Sequence, residues 1–116
     1  SNPFLTVPHL HRPQGKKARF LAIVDNGAMI NAIDTAAYQR IARRLSPLSP
    51  STRTLRMADG SLVPSTGVWT GTCLWGPIQI HTNFEVFPSG GSWCMLIGKL
   101  LLEQVHAVHN YSTDAI

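Results

Sequence analysis

Apolar residues in this chain come in short runs separated by turn-forming residues, a pattern that predicts many short strands and few helices. Ala18 to Val24 reads as a strand, and Ala28 to Ile33 is a second apolar run. Thr52 to Met57 and Leu62 to Ser65 flank Ala58-Asp59-Gly60-Ser61, and Asp-Gly between β-prone runs is a strong hairpin signal. Val68 to Trp75 and Ile78 to Phe87 form another predicted strand pair around Trp75-Gly76-Pro77. After a loop at Pro88 to Ser92, Trp93 to Ile97 reads as a buried strand closed by Gly98. A helix is predicted from Asp34, whose side chain can cap the first free N–H groups, with Ile33 and Tyr38 at the staple positions. Ala37, Ile41 and Leu45 follow at helical spacing, Gln39, Arg40, Arg43 and Arg44 take the wetter side, and Pro47 and Pro50 end it. A short helix is expected at Lys99 to Val105 and a final strand at Ala107 to Tyr111. Residues 1–17, with Pro3, Pro8, Pro13 and Gly15, read as an extended leader, and 18–116 as one mostly-β domain.

Composition narrows the class. A chain of 116 residues with 44% hydrophobic and 14% charged residues can bury a core without a metal or disulfide. So few charges also suggest that a partner covers part of the surface. The net charge of +4 gathers in two clusters, Arg12, Lys16, Lys17 and Arg19, then Arg40, Arg43 and Arg44. Without interleaved aromatics these read as a basic leader and a solvated helix face, so nucleic acid is not an expected partner. Cys73 and Cys94 both sit inside apolar runs, as buried free thiols do, which fits an intracellular setting. No apolar stretch approaches the roughly 20 residues that span a bilayer, and the N-terminus has no signal-peptide core. The sequence is also compatible with a domain cut from a longer chain.

The chemistry concentrates at Phe20-Leu21-Ala22-Ile23-Val24-Asp25-Asn26-Gly27-Ala28. An apolar strand runs straight into a carboxylate and a glycine, and a carboxylate at the end of a buried strand is costly. Asn-Gly between apolar runs is also a common two-residue hairpin turn, so a plain hairpin competes with a functional loop. Against the hairpin, Ala28 to Ile33 does not alternate, so both flanks look buried.

Other chemistries find less support. His9 and His11, or His106 and His109, supply too few converging ligands for a metal site. There is no Gly-x-Ser-x-Gly, and Gly90-Gly91-Ser92 lacks the helix and basic residue of a phosphate cradle. Neither a metal nor a cofactor is expected. Trp69, Trp75 and Trp93 read as core or interface residues, with Trp69, beside the Asp-Gly hairpin, the one expected to line a substrate pocket.

Three segments in order carry a family resemblance. The run ending at Ala28 resembles the active-site segment of retropepsin-like aspartic proteases, hydrophobic-hydrophobic-Asp-Thr/Ser-Gly-Ala, with Asn26 in place of the hydroxyl residue. Ala58-Asp59-Gly60 resembles the flap of gypsy-class retrotransposon proteases. Met95-Leu96-Ile97-Gly98-Lys99-Leu100-Leu101-Leu102, with Val108-His109-Asn110-Tyr111 after it, resembles the family's C-terminal segment, helix and strand. Together they cover about residues 18 to 111.

The resemblance implies a closed antiparallel half-barrel with one or two short helices, working as a homodimer on extended polypeptide. It implies Asp25 as the catalytic residue, one per subunit, with Asn26, Gly27 and Ala28 forming the active-site loop. Met57, Ala58, Asp59, Gly60, Ser61 and Leu62 would close over the peptide, and apolar subsites are expected because the loops offer few charges. In the family, the residue at position 26 hydrogen-bonds across the dimer axis through its hydroxyl. A longer, forked amide leaves two outcomes open, a working aspartic endopeptidase of retroelement origin or an inactive dimerisation or peptide-binding module.

Overall fold

The longest local pairing is the ribbon of β8 (Gly67–Trp75) and β9 (Ile78–Phe87), which keeps one register from Gly67 opposite Val86 to Trp75 opposite Ile78. On β8, Gly67, Trp69, Gly71 and Cys73 face the core, following the period of two that the sequence shows. The computed structural model describes residues 4–11, 17–57 and 59–114. Ala58 of the predicted hairpin and Pro3, Arg12, Pro13, Gly15 and Lys16 of the predicted leader lie outside the described residues.

The N-terminal segment is not separate from the domain. β1 (Phe4–Thr6) pairs with β4 (Ala22–Val24), and β2 (His9–His11) pairs with β3 (Lys17–Arg19). The register is the same in both pairings, and Phe20 N–H donates to the Pro8 carbonyl between them at 3.2 Å. Residues 4–11 and 17–24 thus form one long antiparallel ribbon whose two halves join different ends of the sheet. Leu10 and Phe20 are buried along it, which is why the extended segment docks. The predicted strand Ala18 to Val24 is accordingly split at Phe20-Leu21.

The remaining elements complete an eight-stranded sheet in the order β1-β4-β10-β5-β9-β8-β2-β3, with β5 at Ala32–Asp34 and β10 at Met95–Ile97. It is a curled, open half-barrel, not the closed one expected, and it is mixed rather than antiparallel. β10 runs parallel to β4, and β5 parallel to β9. β6 (Thr54–Arg56) and β7 (Leu62–Pro64) form a separate antiparallel hairpin, as the Asp-Gly signal predicted.

Two helices cover the sheet. α1 (Thr35–Arg40) is capped by Asp34, whose Oδ2 accepts from Ala37 N–H at 3.0 Å while Oδ1 accepts from Ser89 N–H at 2.8 Å. It ends sooner than its apolar spacing suggests, and a 3-10 turn at Ala42–Arg44 carries the chain to buried Leu45. Tyr38 is buried in the core, where its hydroxyl donates to the Ser46 carbonyl at 2.8 Å and burial raises its pKa. α2 spans Lys99–Asp114, so the strand expected at Ala107 to Tyr111 is helix instead. Leu101, Leu102 and Val105 pack on the core at helical spacing, and no turn residue interrupts the pattern before Asn110.

Candidate active site

Asp25 stands where β4 runs out. Its N–H donates to the Ile97 carbonyl at 2.9 Å, extending the parallel β4–β10 ladder by one residue. The chain then turns at Asn26-Gly27, and Ala28 N–H donates to the Asp25 carbonyl at 3.1 Å. Gly27 N–H donates to the Asp25 carboxylate at 2.9 Å, and a β-carbon on Gly27 would sit 3.2 Å from that same oxygen. Asn-Gly is therefore a turn but not a hairpin, because β10 lies between β4 and β5 and keeps the two flanks apart. Asp25, Asn26 and Gly27 are exposed, Ala28 half-buried.

The loop is tied from beneath. Ala28 accepts from Lys99 N–H at 2.7 Å, fixing it to the start of α2. Asn31 is enclosed, and its Oδ1 accepts from Gly98 N–H at 3.1 Å and Leu101 N–H at 3.2 Å. Its Nδ2 donates to the Asn83 carbonyl at 3.1 Å and to Thr82 Oγ1, while its own carbonyl accepts from Glu85 N–H. One amide thus joins the Asp25 loop, the β10–α2 junction and β9. A buried polar group with every lone pair and proton engaged orders its surroundings. The signal available in the sequence was a single polar residue inside the apolar run Ala28 to Ile33.

A cleft of about 840 Å³ opens over the loop. Asp25, Gly27, Ala28, Met29 and Ile30 form one side, residues 53–57 at the β6 arm of the hairpin another, and Ser92, Trp93 and Leu96 the end. Asp25 is the sole acid in this lining. The other acids whose side chains are described lie outside this lining. Burial pushes the Asp34 pKa up, but hydrogen bonds from Ser89 and Ala37 and the charge of Arg40 outweigh it, leaving the group below its usual value. Asp59 accepts from Ser61 Oγ at 2.6 Å and Ser61 N–H at 2.9 Å, which lower its pKa in the same order. Buried Glu85 accepts from Ser51 Oγ and lies 4.0 Å from Arg53 Nε. Glu103 is exposed on α2.

The hairpin residues divide by position. Met57 lines the cleft, whereas Asp59, Gly60, Ser61 and Leu62 make its exposed tip and outer arm. Met57 N–H donates to the Ser61 carbonyl and Gly60 N–H to the Met57 carbonyl, closing the turn. Trp69 is not a cleft residue. It is 0% exposed, packed on Phe84, and lies across Gly71, where a β-carbon would come within 2.6 Å of the indole. Inward alternation on β8 decides this, and half-buried Trp93 is the tryptophan that reaches the cleft. Arg53 and Arg56, which no motif in the sequence marks, also belong to the cleft lining.

Among the described residues no three His, Cys, Asp or Glu side chains converge as metal ligands, and no helix is long and apolar enough to cross a membrane. Cys73 and Cys94 are unpaired.

The chain matches no protein-family model and no curated protein. Among solved structures it is similar to the retroviral protease-like domain of Ddi1 from Leishmania major, with a TM-score of 0.61 and 14% identity over 90% of this chain and 78% of that one. A retropepsin-like aspartic protease from Rickettsia conorii aligns at 0.48 and 16% identity, over 89% of this chain and 84% of that one. The simian foamy virus (mac) protease aligns at 0.46 and 14%, over 82% and 87%. The fold is retropepsin-like.

Proposed function

We propose that this chain is one subunit of an aspartic endopeptidase of retroelement origin, in which Asp25 from each of two copies forms the catalytic pair. The observation that carries this reading is the single cleft carboxylate, held on a braced loop and faced by a hairpin. One carboxylate cannot both activate water and protonate the oxyanion, so a twofold partner supplies the second. Met29, beside the loop, is 71% exposed, an apolar surface that such a partner would cover.

In the assembled site two close carboxylates share one proton, because both cannot ionise easily. The ionised member takes a proton from a bound water as its oxygen attacks the scissile carbonyl, and the protonated member donates to the developing oxyanion. The substrate lies extended between the Asp25 loop and the β6–β7 hairpin, which acts as the lid. Two unpaired thiols favour an intracellular setting.

A second reading, an inactive dimerisation or peptide-binding module, is favoured by Asn26, whose exposed amide replaces the expected hydroxyl. Cleavage of a mixed peptide library from pH 4 to 7 separates the two. Products that vanish in Asp25→Ala establish the protease. Silence rescued by Asn26→Thr means a scaffold disabled at one side chain, and silence in all three proteins supports the binding module.

A further inference from the structure

We propose that the cleft selects polypeptides carrying an acidic side chain next to the apolar residues that fill it, and that Arg56 makes the selection. This deepens the protease reading and rests on it for the direction in which peptide lies, but not on turnover.

The walls contributed by Met29, Ile30, Leu55, Trp93 and Leu96 are apolar, as the sequence led one to expect. Their charge balance is not. The β6 arm brings two arginines, Arg53 and Arg56, to the lining of a cleft whose one carboxylate is Asp25. The two arginines are not equivalent. Arg53 lies 4.0 Å from the buried Glu85 carboxylate, so part of its charge is answered within the fold. Arg56 is exposed and donates to the Gly60 carbonyl at 3.3 Å, a neutral acceptor, and no carboxylate among the described residues forms an ion pair with it.

An arginine fork accepts a carboxylate through two parallel N–H bonds, which gives direction as well as attraction. Asp25 acts in the opposite sense, since an acidic side chain placed against it meets a like charge. The two effects together put the acidic residue beneath the β6 arm and away from the bond to be cut. Apolar side chains occupy the middle.

The test uses peptide pairs that differ only in Glu against Gln, with the varied position scanned to either side of an apolar pair. Each pair is made as a cleavable peptide and with a hydroxyethylene group replacing the scissile amide. The readouts are the Glu/Gln ratio in kcat/KM for the first and in affinity, by fluorescence anisotropy, for the second. At low salt the ratio at the best position is expected to be about two- to fivefold, the range of an exposed ion pair, and to fall as salt rises. Arg56→Gln brings it close to one, Arg56→Lys keeps part of it, and Arg56→Glu inverts it. Because Arg56 is exposed with one weak contact, these variants retain the fold. An acidic preference in affinity without cleavage upholds the selection and overturns the protease. Cleavage with a ratio of one at every position, or a ratio unchanged in Arg56→Gln, overturns the selection and leaves the protease standing. Failure to bind any peptide overturns both.

Discussion

Gly98 passes so close to Ile30 that a β-carbon added to it would lie 2.2 Å from the Ile30 carbonyl oxygen. The obstructing atoms are backbone, including the Ala28 carbonyl at 2.8 Å, and the Ala28 carbonyl already accepts from Lys99. Neither side can yield without moving the Asp25 loop. Gly98→Ala is therefore expected to destabilise the fold by about 3 kcal/mol, the upper end of ordinary overpacking, and to displace Asp25. Urea unfolding measures the first effect. Peptide binding by the fraction that remains folded measures the second.

Asn31→Ala removes four side-chain hydrogen bonds and leaves the N–H groups of Gly98 and Leu101 buried without partners. Each orphaned donor costs about 1–3 kcal/mol, so a loss of about 3–4 kcal/mol is expected in denaturant unfolding. At acid pH, where its carboxyl is neutral, Asn31→Asp keeps the acceptor and offers one O–H donor in place of two N–H donors, and should fall between wild type and Asn31→Ala.

How far the sequence announced this can be judged residue by residue. Asp34 capping, the Asp59-Gly60 hairpin and the β8–β9 ribbon follow from neighbours a few positions apart, and all three stand as expected. The end of β4 at Asp25 was legible because an apolar run gives way there to a carboxylate, an amide and a glycine. Arrangements set by distant partners were not legible. The N-terminal segment looked like a leader because its proline spacing hides the alternation that seats Leu10. Trp69 was misplaced because exposure on β8 depends on which face the sheet turns inward. Asn31 and Arg56 acquire meaning from Gly98 and from the cleft, far along the chain or across it.

Asp34 ties stability to pH. Its folded pKa lies below the ordinary 3.8, so its carboxylate stabilises the fold fully above that value. The contribution declines as pH falls below 3.8 and is gone once pH passes under the folded pKa. Asp34→Ala removes the cap and leaves Ser89 N–H unpaired, costing about 2–3 kcal/mol at neutral pH. Comparing wild type and Asp34→Asn across pH 2 to 7, the gap in unfolding midpoint should narrow toward the acid end.

The two thiols are expected to react at very different rates. Burial pushes the Cys73 thiol up to about 12 and leaves it 1% exposed, whereas Cys94 is half-buried at the edge of two surface grooves. At pH 8 a disulfide reagent should titrate one thiol in the native protein, lost in Cys94→Ser, and a second only on unfolding.

The position of β10 between β4 and β5 sets an order of events during synthesis. The strand that separates them is made about seventy residues after β4 and about sixty after β5, so the Asp25 loop has no floor while the ribosome is still building the middle of the chain. A nascent chain halted before residue 95 exposes the facing edges of β4 and β5, and its aspartate has no fixed position. The geometry of the Asp25 loop and completion of the sheet arrive together, so a chain interrupted during translation carries the motif without the cleft.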